Sequence, residues 1–250
     1  MNKVRLEDRG DGVRLLTLTD PDRRNAMGAQ MGAELIAACH QVREDAQARV
    51  LVVTGEGRAF CAGADLPALF GDPDRRVTDT HRGLQTYYQA FFSVLQLPLP
   101  TIAAVNGPAV GAGLNLALAC DVRIAGAAAS FGATFAKIGL HPGGGCTWFL
   151  VQALGASRAL QTLLLGASLD AARAVEWGLA EGVAGDPVAD ALEMAERFAA
   201  VEPELARSIK RSVGIAVRTG DLEAVVEYES WAQAASASSP VLQAWVAKFS

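Results

Sequence analysis

The sequence predicts an α/β fold on three observations: short runs of β-branched and aliphatic residues, helix-period segments between them, and glycine-rich turns where one gives way to the other. Of the 250 residues, 51% are hydrophobic, 20% are charged and 25 are glycine, which suits a close-packed interior better than a disordered or fibrous chain. No composition break or flexible linker interrupts it. Residues 1–195 are therefore expected to form the core, and 196–250 a helical region packed on that core or on a neighbouring subunit.

Taken in order, Val13–Thr19 and Arg49–Thr54 read as strands, the second through the continuous apolar run Val50-Leu51-Val52-Val53 of a strand covered on both faces. Between them, Ala29–Glu44 carries Met31, Leu35, Ile36, Ala38 and Val42 at helical spacing, after a turn at Asp20-Pro21-Asp22. Phe70–Arg82 is too polar for core and reads as a surface loop leading into a helix from Gly83 to Leu97. A strand at Ile102–Val105, a helix opening near Gly111, a strand at Val122–Ala125 and helices after Gly145 continue the alternation. From Ser157 onward the pattern is helical only, with segments at Ser157–Leu165, Asp170–Trp177, Val188–Ala200, Glu204–Arg218 and Leu222–Ala235.

A net charge of −5 argues against a nucleic-acid partner, so an anionic ligand must meet a local cluster of cations. Cys39, Cys61, Cys120 and Cys146 form no CxxC pair, and the scattered ligand types give no metal site. Alternating charge in Met1–Asp8 replaces the apolar run of a signal peptide, and the protein is expected in the cytoplasm. Thr101–Cys120 carries no charge over about the length of a membrane helix, yet Asn106, Gly107, Pro108, Gly111, Gly113 and Asn115 interrupt it, and a buried strand, turn and helix is expected instead.

Two glycine-containing turns follow apolar strands: Gly57–Leu66, reading Gly-Arg-Ala-Phe-Cys-Ala-Gly-Ala-Asp-Leu, and Asn106–Asn115, reading Asn-Gly-Pro-Ala-Val-Gly-Ala-Gly-Leu-Asn. Small residues let a ligand approach main-chain N–H groups, and the second turn opens a helix whose N-terminus adds a positive dipole end. Facing each other, such turns can hold a thioester oxygen as it takes up negative charge.

In order and spacing, Arg24-Asn25-Ala26-Met27, Ala59–Leu66, Asn106–Gly113 and Cys120-Asp121 resemble the motifs of the crotonase (enoyl-CoA hydratase/isomerase) family over nearly the whole chain. That resemblance implies a crotonase-like spiral of repeated strand-strand-helix units, with a C-terminal helical region that drives homotrimers or hexamers. It implies an acyl-CoA thioester as partner, the coenzyme A being part of the substrate and no separate cofactor being needed. Carried over by position, the backbone N–H groups of Cys61 and Ala112 form the oxyanion hole, while Ala62, Gly63, Ala64 and Asp65, with Arg24 and Ala26, line the adenine and pantetheine side. Arg23, Arg24, Lys210, Arg211 and Lys248 are the candidate cations for the phosphates, Lys248 following Trp245 near the end of the chain.

The resemblance has departures. Similar hydratases use two glutamates, which would fall at Asn115, an amide unable to accept a proton, and at Phe135. The stretch from Gly111 to Asp121, with Phe135–Leu140 and Thr147-Trp148, looks most like the ring epoxyphenylacetyl-CoA isomerase-like branch, whose aspartate falls at Gly143. His141 is the candidate replacement, with His81 and the neighbouring aspartates of the covering loop behind it. Phe135, Leu140 and Trp148 are expected to make an apolar acyl pocket. Two readings follow: an enoyl-CoA hydratase or double-bond isomerase, or a non-catalytic acyl-CoA binding protein. A nicotinamide-dinucleotide site is ruled out because Leu116 stands at the third glycine of that fingerprint, and a nucleophile-elbow hydrolase because the Gly-x-Ser-x-Gly turn is missing.

Overall fold

The apolar run predicted as a doubly covered strand sits at the centre of the molecule. The computed structural model describes residues 2–249. Val50 and Val52 face one core, Leu51 and Val53 the other, so alternation along one strand feeds two hydrophobic layers. That strand, β3 (Val50–Gly55), follows β1 (Val4–Asp8), β2 (Val13–Leu18) and helix α1 (Ala29–Glu44). After it come α2 (Leu66–Phe70), α3 (Val77–Leu95), β4 (Thr101–Val105), β5 (Pro108–Val110), α4 (Ala112–Ala119), β6 (Val122–Gly126) and β7 (Ser130–Gly132). Then follow α5 (Cys146–Leu164), β8 (Ser168–Asp170), α6 (Ala171–Glu176), β9 (Gly182–Ala184) and α7 (Pro187–Ala199).

The main sheet runs β1-β2-β3-β4-β6-β9, with β1 antiparallel to β2 and every other pair parallel. A second sheet, β5-β7-β8, pairs β5 with β7 in parallel and β7 with β8 antiparallel. Beneath the main sheet, Ala191, Ala195 and Ala199 of α7 pack on Val50, Val52, Ile102 and Ile124. The small residues of α7 let the helix lie close. The opposite face is covered by α1, α3, α4 and α5, through Met31, Leu35, Phe91, Val94, Leu116 and Leu150.

Contacts divide the chain into two units, Met1–Ala199 and Ala200–Ser250. The second contains α8 (Pro203–Thr219), α9 (Leu222–Ser236) and α10 (Pro240–Val246), each with a side-chain N-cap, from Glu202, Asp221 and Ser239 respectively. On α8, Leu205, Ile209, Val213 and Val217 recur every fourth residue and are 39–58% exposed.

The structure corrects two element assignments and agrees with a third. Strands do not end at Ser157, because β8 and β9 follow it; each has three residues, too short to show a period, and exists through pairing with β7 and β6. Helix α3 starts at Val77, six residues before Gly83. Its first turn is polar and is held by Asp79, which pairs with Arg76 at 2.8 Å and Arg82 at 3.7 Å. In α5, Gly155 at φ 74° and ψ 163° breaks the run in two, which separates the segment after Gly145 from the one beginning at Ser157.

Candidate active site

The first glycine turn is held in place by Asn25. This buried residue adopts φ 56°, a left-handed conformation that asparagine tolerates better than most side chains. Its Nδ2 donates to the carbonyls of Glu56 and Ala59, both at 2.9 Å, and its Oδ1 accepts from the Asp20 N–H at 2.9 Å. Alongside it, Ala62 N–H donates to Arg24 O at 2.9 Å and Met27 N–H to Gly63 O at 2.7 Å. The Gly63–Ala64 peptide is trans, so its N–H points opposite to its carbonyl, away from Met27. Among the described residues that Ala64 N–H meets no acceptor.

The second turn lies against the first. Cys61 and Ala109 form a parallel bridge, with Cys61 N–H donating to Pro108 O at 3.1 Å and Val110 N–H to Cys61 O at 3.0 Å. A Cβ on Gly63 would lie 3.0 Å from Val110 O, and one on Gly113 would overlap the Cys61 carbonyl. Gly111, at φ 53° and ψ −111°, turns the chain into α4, whose first N–H, that of Ala112, has no acceptor among the described residues.

These bonds correct one expected donor. The Cys61 amide is consumed by the bridge to Pro108, so the unengaged N–H on this strand lies three residues later, at Ala64. The Cys61 thiol is fully buried, which pushes its pKa up to about 11 and keeps it a protonated packing group.

A third segment, Pro142–Gly145, closes against these turns from α3 and α4. Asn115 is 2% exposed, and its Nδ2 donates to Gly143 O at 2.9 Å. That bond fixes which end of the amide is nitrogen and leaves Oδ1 buried without a partner. A Cβ on Gly144 would meet Phe91 at 2.5 Å and Asn115 Nδ2 at 2.7 Å, and one on Gly143 would overlap the Tyr88 hydroxyl. Three consecutive glycines are what allow this close approach. Tyr88 is half-buried, with its ring 5.8 Å from Phe91 and 6.4 Å from Phe92, and its oxygen lies beside the Gly144 N–H. Burial raises its pKa above the usual phenol value and outweighs that N–H. His81, Leu84, Gln85, Tyr88, Gln89 and Phe92 line a cleft of about 570 Å³ along α3.

The expected site residues separate into groups. Asn115 stands one turn into α4, and Phe135 approaches its head, with Cζ 3.9 Å from where a Gly111 Cβ would be. His141 is exposed and its Nδ1 bonds the adjacent Pro142 O at 2.7 Å, so its ring is engaged locally. Leu140 is half-buried and Trp148 is 41% exposed, and neither lines the α3 cleft. His81 lies on α3 rather than on a loop. Arg24 is exposed beside Ala62, half-exposed Ala26 follows it, and Arg23 is committed to Asp65 at 2.7 Å. Asp65 also caps α2 through Ala68 N–H at 3.4 Å. In the second unit the Lys248 ammonium sits 4.4 Å over the Trp245 ring and the Arg211 guanidinium 5.2 Å over Tyr228. Tyr88 escaped the sequence reading. Its one signal was the aromatic pair of pairs, Tyr87-Tyr88 and Phe91-Phe92, at helical spacing.

Two apposed glycine turns, each offering an unengaged main-chain N–H beside a buried amide, are the equipment of a protein that polarises a carbonyl oxygen. The model of the enoyl-CoA hydratase/isomerase family matches residues 8–244, and the chain belongs to that family of acyl-CoA enzymes. A probable enoyl-CoA hydratase of Mycobacterium tuberculosis is 48% identical over 243 residues, covering 94% of this chain and 93% of that one. The 1,2-epoxyphenylacetyl-CoA isomerase of Escherichia coli is 37% identical over 220 residues, covering 87% and 84%. The higher identity therefore lies away from the ring-epoxide branch that the local motifs suggested. The crystal structure of an enoyl-CoA hydratase from Bacillus anthracis superposes with a TM-score of 0.90 at 31% identity, covering 98% of this chain and 96% of that one. Crotonase architecture is thus shared over both sheets and the helices that follow them.

Proposed function

We propose that the chain binds an acyl-CoA and polarises its thioester through the N–H groups of Ala64 and Ala112, catalysing enoyl-CoA hydration or double-bond isomerisation. The observation that carries this reading is the pair of unengaged amides on turns joined by the Cys61–Ala109 bridge. Charge developing on a thioester oxygen is stabilised by fixed dipoles that need no rearrangement at the moment of reaction. Ala62, Gly63, Asp65, Ala26 and the exposed Arg24 line the coenzyme side in this reading, with Arg24 facing phosphate.

Both usual catalytic glutamates are replaced, by Asn115 and Phe135. Asn115 still presents a buried acceptor, Oδ1, able to orient a water or hydroxyl but not to take its proton. The acid–base work falls to other groups. The apolar stripe on α8 supports assembly into a homotrimer or hexamer, because a helix face of that kind is ordinarily covered. The four free, buried thiols accord with a cytoplasmic setting, and no described helix is long and apolar enough to cross a membrane.

The test is Ala112→Pro. Proline is tolerated at the first position of a helix, and it replaces the amide hydrogen with a ring methylene, which both deletes the donor and fills its place. With circular dichroism unchanged, kcat/KM for crotonyl-CoA hydration or the corresponding isomerisation is expected to fall by about 10²- to 10³-fold. An unchanged rate would remove Ala112 from the site. Binding of acyl-CoA by the native protein with no turnover at any chain length would favour a binding role instead.

A further inference from the structure

Beside the Gly143–Gly144 turn stands a polar group with no role so far. We propose that the Tyr88 hydroxyl selects acyl chains that carry an oxygen on carbon 3, donating a hydrogen bond to that oxygen. The inference rests on the acyl-CoA reading above. Tyr88 lines the 570 Å³ cleft with apolar Leu84 and Phe92, and its oxygen lies 2.4 Å from where a Cβ at Gly143 would be. Among the described residues the Tyr88 hydroxyl has no hydrogen-bond acceptor, and the Gly144 N–H lies beside its oxygen. The Gly143–Gly144 turn it touches is the same one that Asn115 Nδ2 holds at 2.9 Å.

Position along the acyl chain follows from the helix. Ala112 and Asn115 lie within one turn of α4, about 5 Å along the axis. With the acyl chain running along α4 from a thioester oxygen at the Ala112 amide, as the proposal has it, carbon 3 falls near the level of Asn115 and the turn that Tyr88 contacts. Because burial keeps the phenol protonated, Tyr88 offers a donor across the neutral range. A hydroxyl or carbonyl oxygen completes it, whereas a saturated chain leaves it unpaired.

Calorimetric titration of the full-length protein with butyryl-CoA and with 3-hydroxybutyryl-CoA, which differ by one hydroxyl, tests the assignment. The native protein is expected to prefer the hydroxylated thioester by roughly three- to tenfold, the scale of one neutral hydrogen bond. Tyr88→Phe keeps the ring and its packing. It should leave butyryl-CoA affinity within about twofold and abolish the preference. Gly143→Ala, whose methyl displaces the same oxygen without altering residue 88, should do likewise. Equal affinity of the native protein for the two thioesters, or a preference that survives Tyr88→Phe, overturns the proposal and leaves the acyl-CoA reading intact. Failure of the native protein to bind either thioester defeats both.

Discussion

At the scale of single residues, the site turn is stiffened by two side chains that do no chemistry. Asn25 supplies three hydrogen bonds from one buried amide, and Asp65 joins the cap of α2 to Arg23. The hydrogen bond from the Arg23 guanidinium holds the Asp65 carboxyl below its ordinary range against the opposing effect of burial, with the Ala68 N–H and then the Arg23 charge adding to it. A depressed carboxylate stabilises the fold above its unfolded pKa, and that contribution is lost as pH falls through the folded value. Asp65→Asn retains a cap acceptor and loses the ion pair. It is expected to cost less than about 1 kcal/mol at pH 7, because Arg23 is half-exposed. In chemical unfolding followed against pH, the gap between variant and native protein should narrow as pH falls past the ordinary aspartate value, about 3.9, and close once pH is below the depressed folded value. A gap that persists in acid would mean the carboxylate charge is not what stabilises this turn.

At the scale of elements, the close approach of two turns depends on one absent side chain. Gly113 lies within α4, where alanine would ordinarily gain about 1 kcal/mol in helix propensity. Here the added methyl would overlap the Cys61 carbonyl, a main-chain atom that cannot swing away. Gly113→Ala is expected to lower stability by about 2–3 kcal/mol in urea unfolding, overpacking winning over propensity, and to lower activity by spreading the two turns. How much of this was legible in the sequence depends on the element. The runs that became β3 and α1 declared themselves through period, since burial on two faces or on one stripe leaves a pattern in the residues. The turns Gly57–Leu66 and Asn106–Asn115 were recognisable by their small residues, yet which amide is free was not. Whether the Cys61 or the Ala64 amide is engaged is decided by a bridge to Ala109 and by the peptide orientation at Gly63, facts of tertiary pairing that no residue type encodes. Tyr88 was hidden for a related reason: its partners are glycines 55 and 56 positions away.

At the scale of the whole molecule, the two units differ in how completely they bury themselves. The first encloses two apolar layers, whereas in the second Leu205, Ile209, Val213 and Val217 form an open stripe with Trp231, at 70%, and Phe249, at 83%, also exposed. If α8 is covered by other copies of the chain, Ile209→Asp with Val213→Asp places two charges in that contact. Light scattering should show the native protein as a trimer or hexamer and the double variant as a smaller species with its helix content intact. An unchanged mass would show that the stripe lies outside the assembly contact. One last consequence follows from the amides of Ala64 and Ala112, which are peptide groups and so are carried alike by every amino acid except proline. Coding changes in these loops can alter bulk and pitch while the two donors persist, so descent should be able to swap the neighbouring acids and bases freely. If the two donors hold a thioester as proposed, such changes leave that hold in place while altering what is done to the rest of the substrate.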